Sequence, residues 1–307
     1  MLNHAPLVAE VPSSSNTAAV VVLFHPEGAL VARLQRVQTQ VAMLVVISND
    51  GEGHTRLAGL DVARLTHVQA SGNIGLAAAL NQGLAKAAHH GFAWCLLLDQ
   101  DTVVDDDLVS GLAEAYTACP SRSKVGVLVP NYRSPGAAAR LAYPSDAIWQ
   151  YMETAVTSGS LVALETLRRV GGMREAFFIE GIDLEFSLRV RSAGLQLVAS
   201  GRPLMTHGAG AAEERRLFGR TVLVGHHPPW RCFLQFRNLA WTLRRYGRKE
   251  PHWARVTLVS ILKRFCITFL FERQRLRKAW AMLSGFTVGL VQASSANNRP
   301  GDLPGLK

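Results

Sequence analysis

Three leucines run directly into a pair of carboxylates at Leu96-Leu97-Leu98-Asp99-Gln100-Asp101, and this junction constrains the chain more than any other stretch. With Trp94 and Cys95 ahead of it, the apolar run lacks polar alternation and predicts a strand covered on both faces, as in parallel α/β sheets. Asp99 and Asp101 lie two apart, so in extended backbone they share a face, at the carboxyl edge where open α/β sheets take ligands. Two hard oxygen donors there suit Mg²⁺ or Mn²⁺ holding a diphosphate, because such ions favour one or two carboxylates plus substrate phosphates. Helix capping competes for the same residue type, and Asp105, Asp106 and Asp107 before Leu108, Leu112 and Ala115 have that form.

The surrounding pattern repeats the theme of buried strand, polar turn and helix. Strands are predicted at 19–25, 42–48, 65–69, 93–98, 125–130 and 195–200, with helical patterns near 27–40 and 71–91 between the early ones. Parallel strands joined by helices make βαβ units, whose crossovers are nearly always right-handed. Asn49 and Asp50 follow the second strand at the ligand edge, where a turn chosen for its geometry is the competing reading. Ser71-Gly72-Asn73-Ile74-Gly75 opens the Ala/Leu helix, and small residues before a helix N-terminus suit a phosphate. The spacing matches neither G-x-G-x-x-G nor the P-loop, which argues against both of those nucleotide-binding types.

A second acidic constellation follows Phe177-Phe178-Ile179, where Glu180, Asp183 and Glu185 meet the start of a helix with Ile182, Phe186 and Val190 at helical spacing. Acidic residues in a first turn favour the macrodipole, so capping is one use. The other is a general base, since an apolar approach desolvates a carboxylate and raises its pKa. Residues 131–148 read as a loop or small hairpin, and 203–207 as a separate extended segment ending in His207.

With 307 residues and 48% apolar composition, the chain is globular and large enough for one big core or two modest ones. Its four cysteines (Cys95, Cys119, Cys232 and Cys266) are scattered, so neither a zinc site nor a disulfide framework is indicated and reduced thiols fit best. No basic stretch followed by an apolar run opens the chain, so no secretory signal is expected. The net charge of +10 is uneven: residues 1–212 carry −3, residues 213–280 carry +12 and residues 281–307 carry +1. Within the basic third, residues 253–271 are apolar but interrupted by Arg255, Lys263 and Arg264, too short and charged for a spanning helix of ~20 apolar residues. They suit a basic amphipathic helix on an anionic membrane surface, or a solvated basic face on a core helix.

Taken together, these pieces resemble a family 2 glycosyltransferase of the GT-A fold, and most closely the bacterial rhamnosyltransferases that build O-antigen or related cell-surface glycans. The resemblance rests on His25-Pro26, Asn49-Asp50, Asn73-Ile74-Gly75-Leu76 with Asn81-Gln82-Gly83, Asp99-Gln100-Asp101, Ser158-Gly159-Ser160, the 178–185 segment with Arg189, and Arg237-Asn238, across residues 18–250. It implies a mixed, mainly parallel sheet flanked by helices over 18–212, after a flexible N-terminus at 1–17. A basic, membrane-associating helical region at 213–293 and a disordered tail at 294–307 would follow. It further implies that Asn49, Asp50, Asn73 and Gly75 line the nucleotide-sugar pocket, and that Asp99 and Asp101, with His207, hold the nucleotide sugar and a divalent Mg²⁺ or Mn²⁺. Asp183 would be the catalytic base, with Glu180 and Glu185 on the acceptor.

The expected activity is inverting transfer of a sugar, with dTDP-L-rhamnose the leading donor and UDP- or GDP-sugars the alternative, onto a lipid-linked or polysaccharide acceptor. The expected location is the cytoplasmic face of the inner membrane, bound peripherally, with a homo-oligomer left open. A sugar nucleotidyltransferase would need a Gly/Arg/Lys-rich phosphate loop that Val20–Gly28 lacks. A non-catalytic membrane-surface adaptor explains the basic third but not the placed carboxylates. Nucleic-acid binding ranks last without a recognition motif.

Overall fold

The computed structural model describes Leu7, residues 10–51, 57–134, 141–143, 146–208, 213–217, 220–293 and Leu303. Apart from Leu303, the tail expected at 294–307 lies outside the described residues. The chain divides into two compact units, the first Met1–Phe178, Ile182–Gly208 and Pro300–Lys307, the second Ile179–Gly181 and Ala209–Arg299.

The first unit holds, in chain order, β1 (Thr17–Leu23), α1 (Leu30–Gln38), β2 (Met43–Ser48), β3 (Leu65–Gln69), α2 (Leu76–His89), β4 (Trp94–Asp99), β5 (Val103–Val104) and α3 (Leu108–Ala118). It continues with β6 (Val125–Arg133), β7 (Trp149–Met152), β8 (Leu161–Ala163), α4 (Leu164–Val170), α5 (Ile182–Ser192) and β9 (Gln196–Thr206). The sheet runs β3-β2-β1-β4-β8-β6-β9-β5, with β7 on β9. Its first four strands are parallel, as the apolar runs of β1, β2 and β4 foretell, and every residue of β1 and β2 is buried. Each fully buried Leu, Val or Ile there contributes roughly 1.5–3 kcal/mol. The register pairs Leu23 with Ser48 and Val22 with Asp99, so β1, β2 and β4 all end at one edge. The short β8 runs antiparallel between β4 and β6 and makes the sheet mixed.

The segments expected separately at 195–200 and 203–207 are one strand. Pro203 lacks an N–H for the ladder, and the pairing of β9 with β6 shifts register on either side of Asn131, which pairs with Pro203. The Asn131 amide donates to Gly201 O at 3.1 Å and carries the strand across that break. β6 accordingly continues past Pro130 to Arg133. Strands β5 and β7, of two and four residues, were absent from the sequence reading because neither is long enough to show a period. Residues assigned by sequence to a flexible N-terminus are held where described: Leu7 is buried with its N–H on Ser123 O at 2.7 Å, and Trp94 Nε1 donates to Glu10 O at 2.8 Å.

The second unit holds an antiparallel hairpin, β10 (Glu213–Leu217) and β11 (Arg220–Val224), then α6 (Pro229–Tyr246), α7 (Pro251–Phe271) and α8 (Arg275–Gln292). The hairpin corrects the expectation of an all-helical region. Gly285 and Gly289 let α8 approach the α6 backbone, since a Cβ at those positions would lie 2.3 Å from Phe233 O and 2.1 Å from Arg237 O. Among the described residues no helix is long and apolar enough to cross a membrane. On α7 the apolar residues are not sequestered from the basic ones: Val259 and Leu262 are 66% and 67% exposed beside the exposed Arg255 and Lys263.

Candidate active site

The carboxylate pair is assembled with His207 by strand pairing. After β4 ends at Asp99 the chain turns, with Thr102 N on Asp99 O at 3.2 Å, and β5 then pairs with the end of β9 through Val103 and Thr206. One ligand atom each of Asp99, Asp101 and His207 fall within 4.8 Å of one another. Two carboxylates and one imidazole form a mainly hard donor set that fits a divalent ion of the Mg²⁺ or Mn²⁺ kind. Burial pushes the Asp99 carboxyl up, the His207 charge opposes that, and the Asp101 carboxylate adds to it.

A hydroxyl chain orients this set. Thr102 Oγ1 lies 3.2 Å from His207 Nδ1 and 2.5 Å from Ser158 Oγ, and Ser158 Oγ accepts the Asp99 N–H at 3.1 Å. Thr102 and Ser158 are both buried, so they fix positions rather than meet solvent. The Thr102 hydroxyl thus gives the His207 ring an outer partner, the arrangement by which neighbours orient a ligating histidine. The sequence marked Ser158 but missed Thr102, because a lone threonine three residues past a strand carries no pattern.

Around the same sheet edge, Asn49 is buried and its amide is spent on the neighbouring loop: Oδ1 accepts Ile74 N at 2.9 Å and Nδ2 donates to Asn73 Oδ1 at 3.3 Å. Asn73 Oδ1 also accepts Gly75 N at 3.1 Å. Asn49 is therefore a positioning residue for the 73–75 loop, a correction to its expected role as a nucleotide contact. Gly75 has φ +85°, and a Cβ there would sit 2.5 Å from the Phe178 ring, so glycine is required by both backbone and neighbour. Asp50 is half-buried and accepts His25 N at 2.9 Å. Gln100, which the sequence reading left without a role, ties β4 to β1 by accepting Phe24 N at 2.7 Å and donating to Phe24 O at 3.1 Å.

Asp183 stands half-buried in the first turn of α5, its Oδ1 accepting the N–H of Leu184 at 2.8 Å. It lines a cavity of about 230 Å³ with Tyr132, Tyr143, Met152 and Thr154. The Tyr132 ring also meets His207 edge-on, centroids 5.8 Å apart, so one side chain borders both the ligand set and the Asp183 cavity. A larger cavity of about 1200 Å³, lined by residues such as Pro12, Asp106 and Arg202, includes none of the expected site residues.

Glu185 is not an acceptor contact. It is fully buried, with Arg174 Nη2 3.1 Å from Oε1 and Arg189 Nη2 2.9 Å from Oε2, while Arg189 also donates to Val170 O, Gly171 O and Gly172 O. The carboxylate staples α5 to the turn after α4. Removing one member of a buried ion network strands the others, at a cost of about 3–5 kcal/mol. Glu185→Ala is therefore expected to lower unfolding stability by that amount in a denaturant titration. Full stability with weakened acceptor binding would restore the sequence reading. Glu180 belongs to the second unit, where Arg231 and Gln235 bind its two oxygens and Asn238 Nδ2 donates to Glu180 O at 2.8 Å.

No protein-family model matches the sequence. The chain is 24% identical over 243 residues, 76% of this chain and 81% of the other, to the dTDP-rhamnosyl transferase RfbF of Shigella flexneri. Among solved structures it resembles residues 1–349 of TarS from S. aureus, with TM-score 0.56 and 13% identity over 91% of this chain and 80% of that one. It also resembles GalNAc-T7 solved with UDP, GalNAc and Mn²⁺, with TM-score 0.55 and 13% identity over 77% of this chain. The chain spans about half the length of GalNAc-T7, 48%.

Proposed function

On a chain with the GT-A fold of glycosyltransferases, we propose that this site transfers a sugar from a nucleotide donor, dTDP-L-rhamnose first among them, to a hydroxyl of a lipid-linked or polysaccharide acceptor. The observation that carries the reading is the Asp99, Asp101 and His207 set at the carboxyl edge, with Tyr132 joining it to the Asp183 cavity. The rhamnosyl donor is supported by the relative named for dTDP-rhamnosyl transfer, and a UDP-sugar by the neighbour that holds UDP.

Asp99, Asp101 and His207 would hold Mg²⁺ or Mn²⁺, which when bound offsets the charge of the diphosphate as it leaves. Asp50 and the 73–75 loop bind the nucleoside, and Asn49 holds that loop in place. Asp183 takes the proton from the acceptor hydroxyl; the oxygen bonds to the anomeric carbon as the bond to the diphosphate breaks, and the nucleoside diphosphate departs. One displacement with one base inverts the anomeric centre and needs no covalent intermediate. The exposed apolar residues of α7 and α8, set among the positive charge of residues 213–280, support peripheral attachment to the anionic inner face of the cell membrane.

The test is incubation of the full chain with Mn²⁺, a glycan acceptor and either dTDP-L-rhamnose or a UDP-sugar, with the product's anomeric configuration read by NMR. Transfer from dTDP-L-rhamnose with inversion is expected. Turnover of the UDP-sugar alone would discard rhamnose, and retention would discard the single displacement.

A further inference from the structure

We propose that the basic cavity of the second unit is a binding site for a phosphate monoester or diphosphate group. The cavity, about 690 Å³, is lined by Arg215, Arg273, Lys278, His226 and His227, with no carboxylate among its lining residues. Three stretches of chain converge on it: Arg215 from β10, the histidines from the link into α6, and Arg273 with Gln274 from the turn between α7 and α8. Arg215 and Arg273 bring two guanidiniums to one hollow, and an anion there is attracted to both.

Two acids, Glu213 and Glu214, precede Arg215 in the chain, and Glu272, which precedes Arg273, is already committed. Glu272 is buried, with Lys278 Nζ at 2.6 Å and Arg264 Nη2 at 3.0 Å, so this triad keeps one net positive charge. Arg264 Nη2 pairs with Glu272 in charge without a hydrogen bond. Gln274 has a left-handed backbone and starts α8 without any side-chain cap, so the first N–H groups of that helix have no internal partner beside the cavity. Burial, and next the Arg231 charge, hold His227 below the usual imidazole range, which leaves it a neutral donor at pH 7. Close in the chain to the lining residues Phe271, Gln274 and Lys278, α7 and α8 expose Leu270, Leu276 and Trp280, apolar side chains that suit the chain of a lipid-borne phosphate. The proposal rests on these residues alone and stands apart from the transfer reading.

The experiment uses the full chain in EDTA, so that the Asp99 and Asp101 pair cannot recruit diphosphate through a metal. Inorganic pyrophosphate is titrated calorimetrically into the wild type, into Arg215→Ala with Arg273→Ala, and into Arg248→Ala with Lys249→Ala. The last pair makes the same charge change outside the cavity lining. Arg215 and Arg273 are exposed, so their removal spares the core. Pyrophosphate binding is expected to weaken about ten-fold or more in the first variant and about two-fold or less in the second. In the wild type the ring resonances of His226 and His227 are expected to shift on titration. Equal weakening in both variants, no binding to the wild type, or unmoved histidine resonances would overturn the site.

The source of the phosphate is read from phosphatidylcholine vesicles with and without a polyprenyl phosphate. Binding to the doped vesicles far tighter than to pyrophosphate, and lost in the first variant, assigns a lipid headgroup. Equal binding to both vesicles, with pyrophosphate bound through Arg215 and Arg273, assigns a soluble phosphate.

Discussion

Asp183→Asn is expected to lower the transfer rate about 10²- to 10⁴-fold, roughly 3–5 kcal/mol of barrier, while leaving donor binding and folding intact. The substitution keeps the shape of a half-buried side chain at the helix start and the acceptor for the Leu184 N–H at 2.8 Å, so it removes only the basic oxygen. The cavity that Asp183 lines is largely apolar and aromatic, and among its lining residues Asp183 is the sole carboxylate. If a different residue takes the proton, turnover by the amide variant stays near the wild-type rate. A steady-state assay with a saturating donor, beside a melting curve, separates that outcome from misfolding. The expected signature, if Asp183 acts on the acceptor hydroxyl as proposed, is a fall in kcat at nearly constant donor KM.

Asp101→Ala is expected to reduce transfer by about 100-fold or more, ~3 kcal/mol, and to abolish stabilisation of the protein by Mn²⁺ with nucleotide. Asp101 is the exposed member of the ligand set, so its loss takes away a donor without opening a cavity. Its carboxylate also raises the neighbouring Asp99, and removing it relieves that repulsion. In EDTA the variant should therefore melt at or above the wild-type temperature. Added Mn²⁺ and nucleoside diphosphate should raise the wild-type melting temperature alone, by mass action on the folded state. A variant that melts lower in EDTA would show a structural duty for Asp101 instead.

The ligand edge was legible in the sequence because it is written as period and position. An unbroken apolar run ending in two acids at 96–101 allows few folds, and β4 with Asp99 at its end is the result. His207 was legible only as an ending: what brings it to the acids is the two-residue strand β5 pairing with β9, too short to leave a mark. The acidic cluster shows the opposite limit. Glu180, Asp183 and Glu185 look alike in sequence, yet Glu185 is a buried counter-ion, Glu180 belongs to a different unit, and only Asp183 lines a cavity. The i,i+4 spacing of Glu185 and Arg189 was a local hint, but the burial of the pair and its second partner, Arg174, come only with folding. Asn49 was read as a ligand contact for the same reason, its amide being claimed by a loop about 25 residues later. The 213–224 hairpin was missed because charged residues fill its first strand and mask any alternation.

Calorimetric titration of dTDP into the wild type and Asp101→Ala, with Mn²⁺ and then with EDTA, tests the central claim that Asp99, Asp101 and His207 form a metal-assisted nucleotide site. Binding in the wild type that needs Mn²⁺ and disappears in Asp101→Ala is the expected result. Binding of equal strength with and without the metal, or unchanged in the variant, would contradict it.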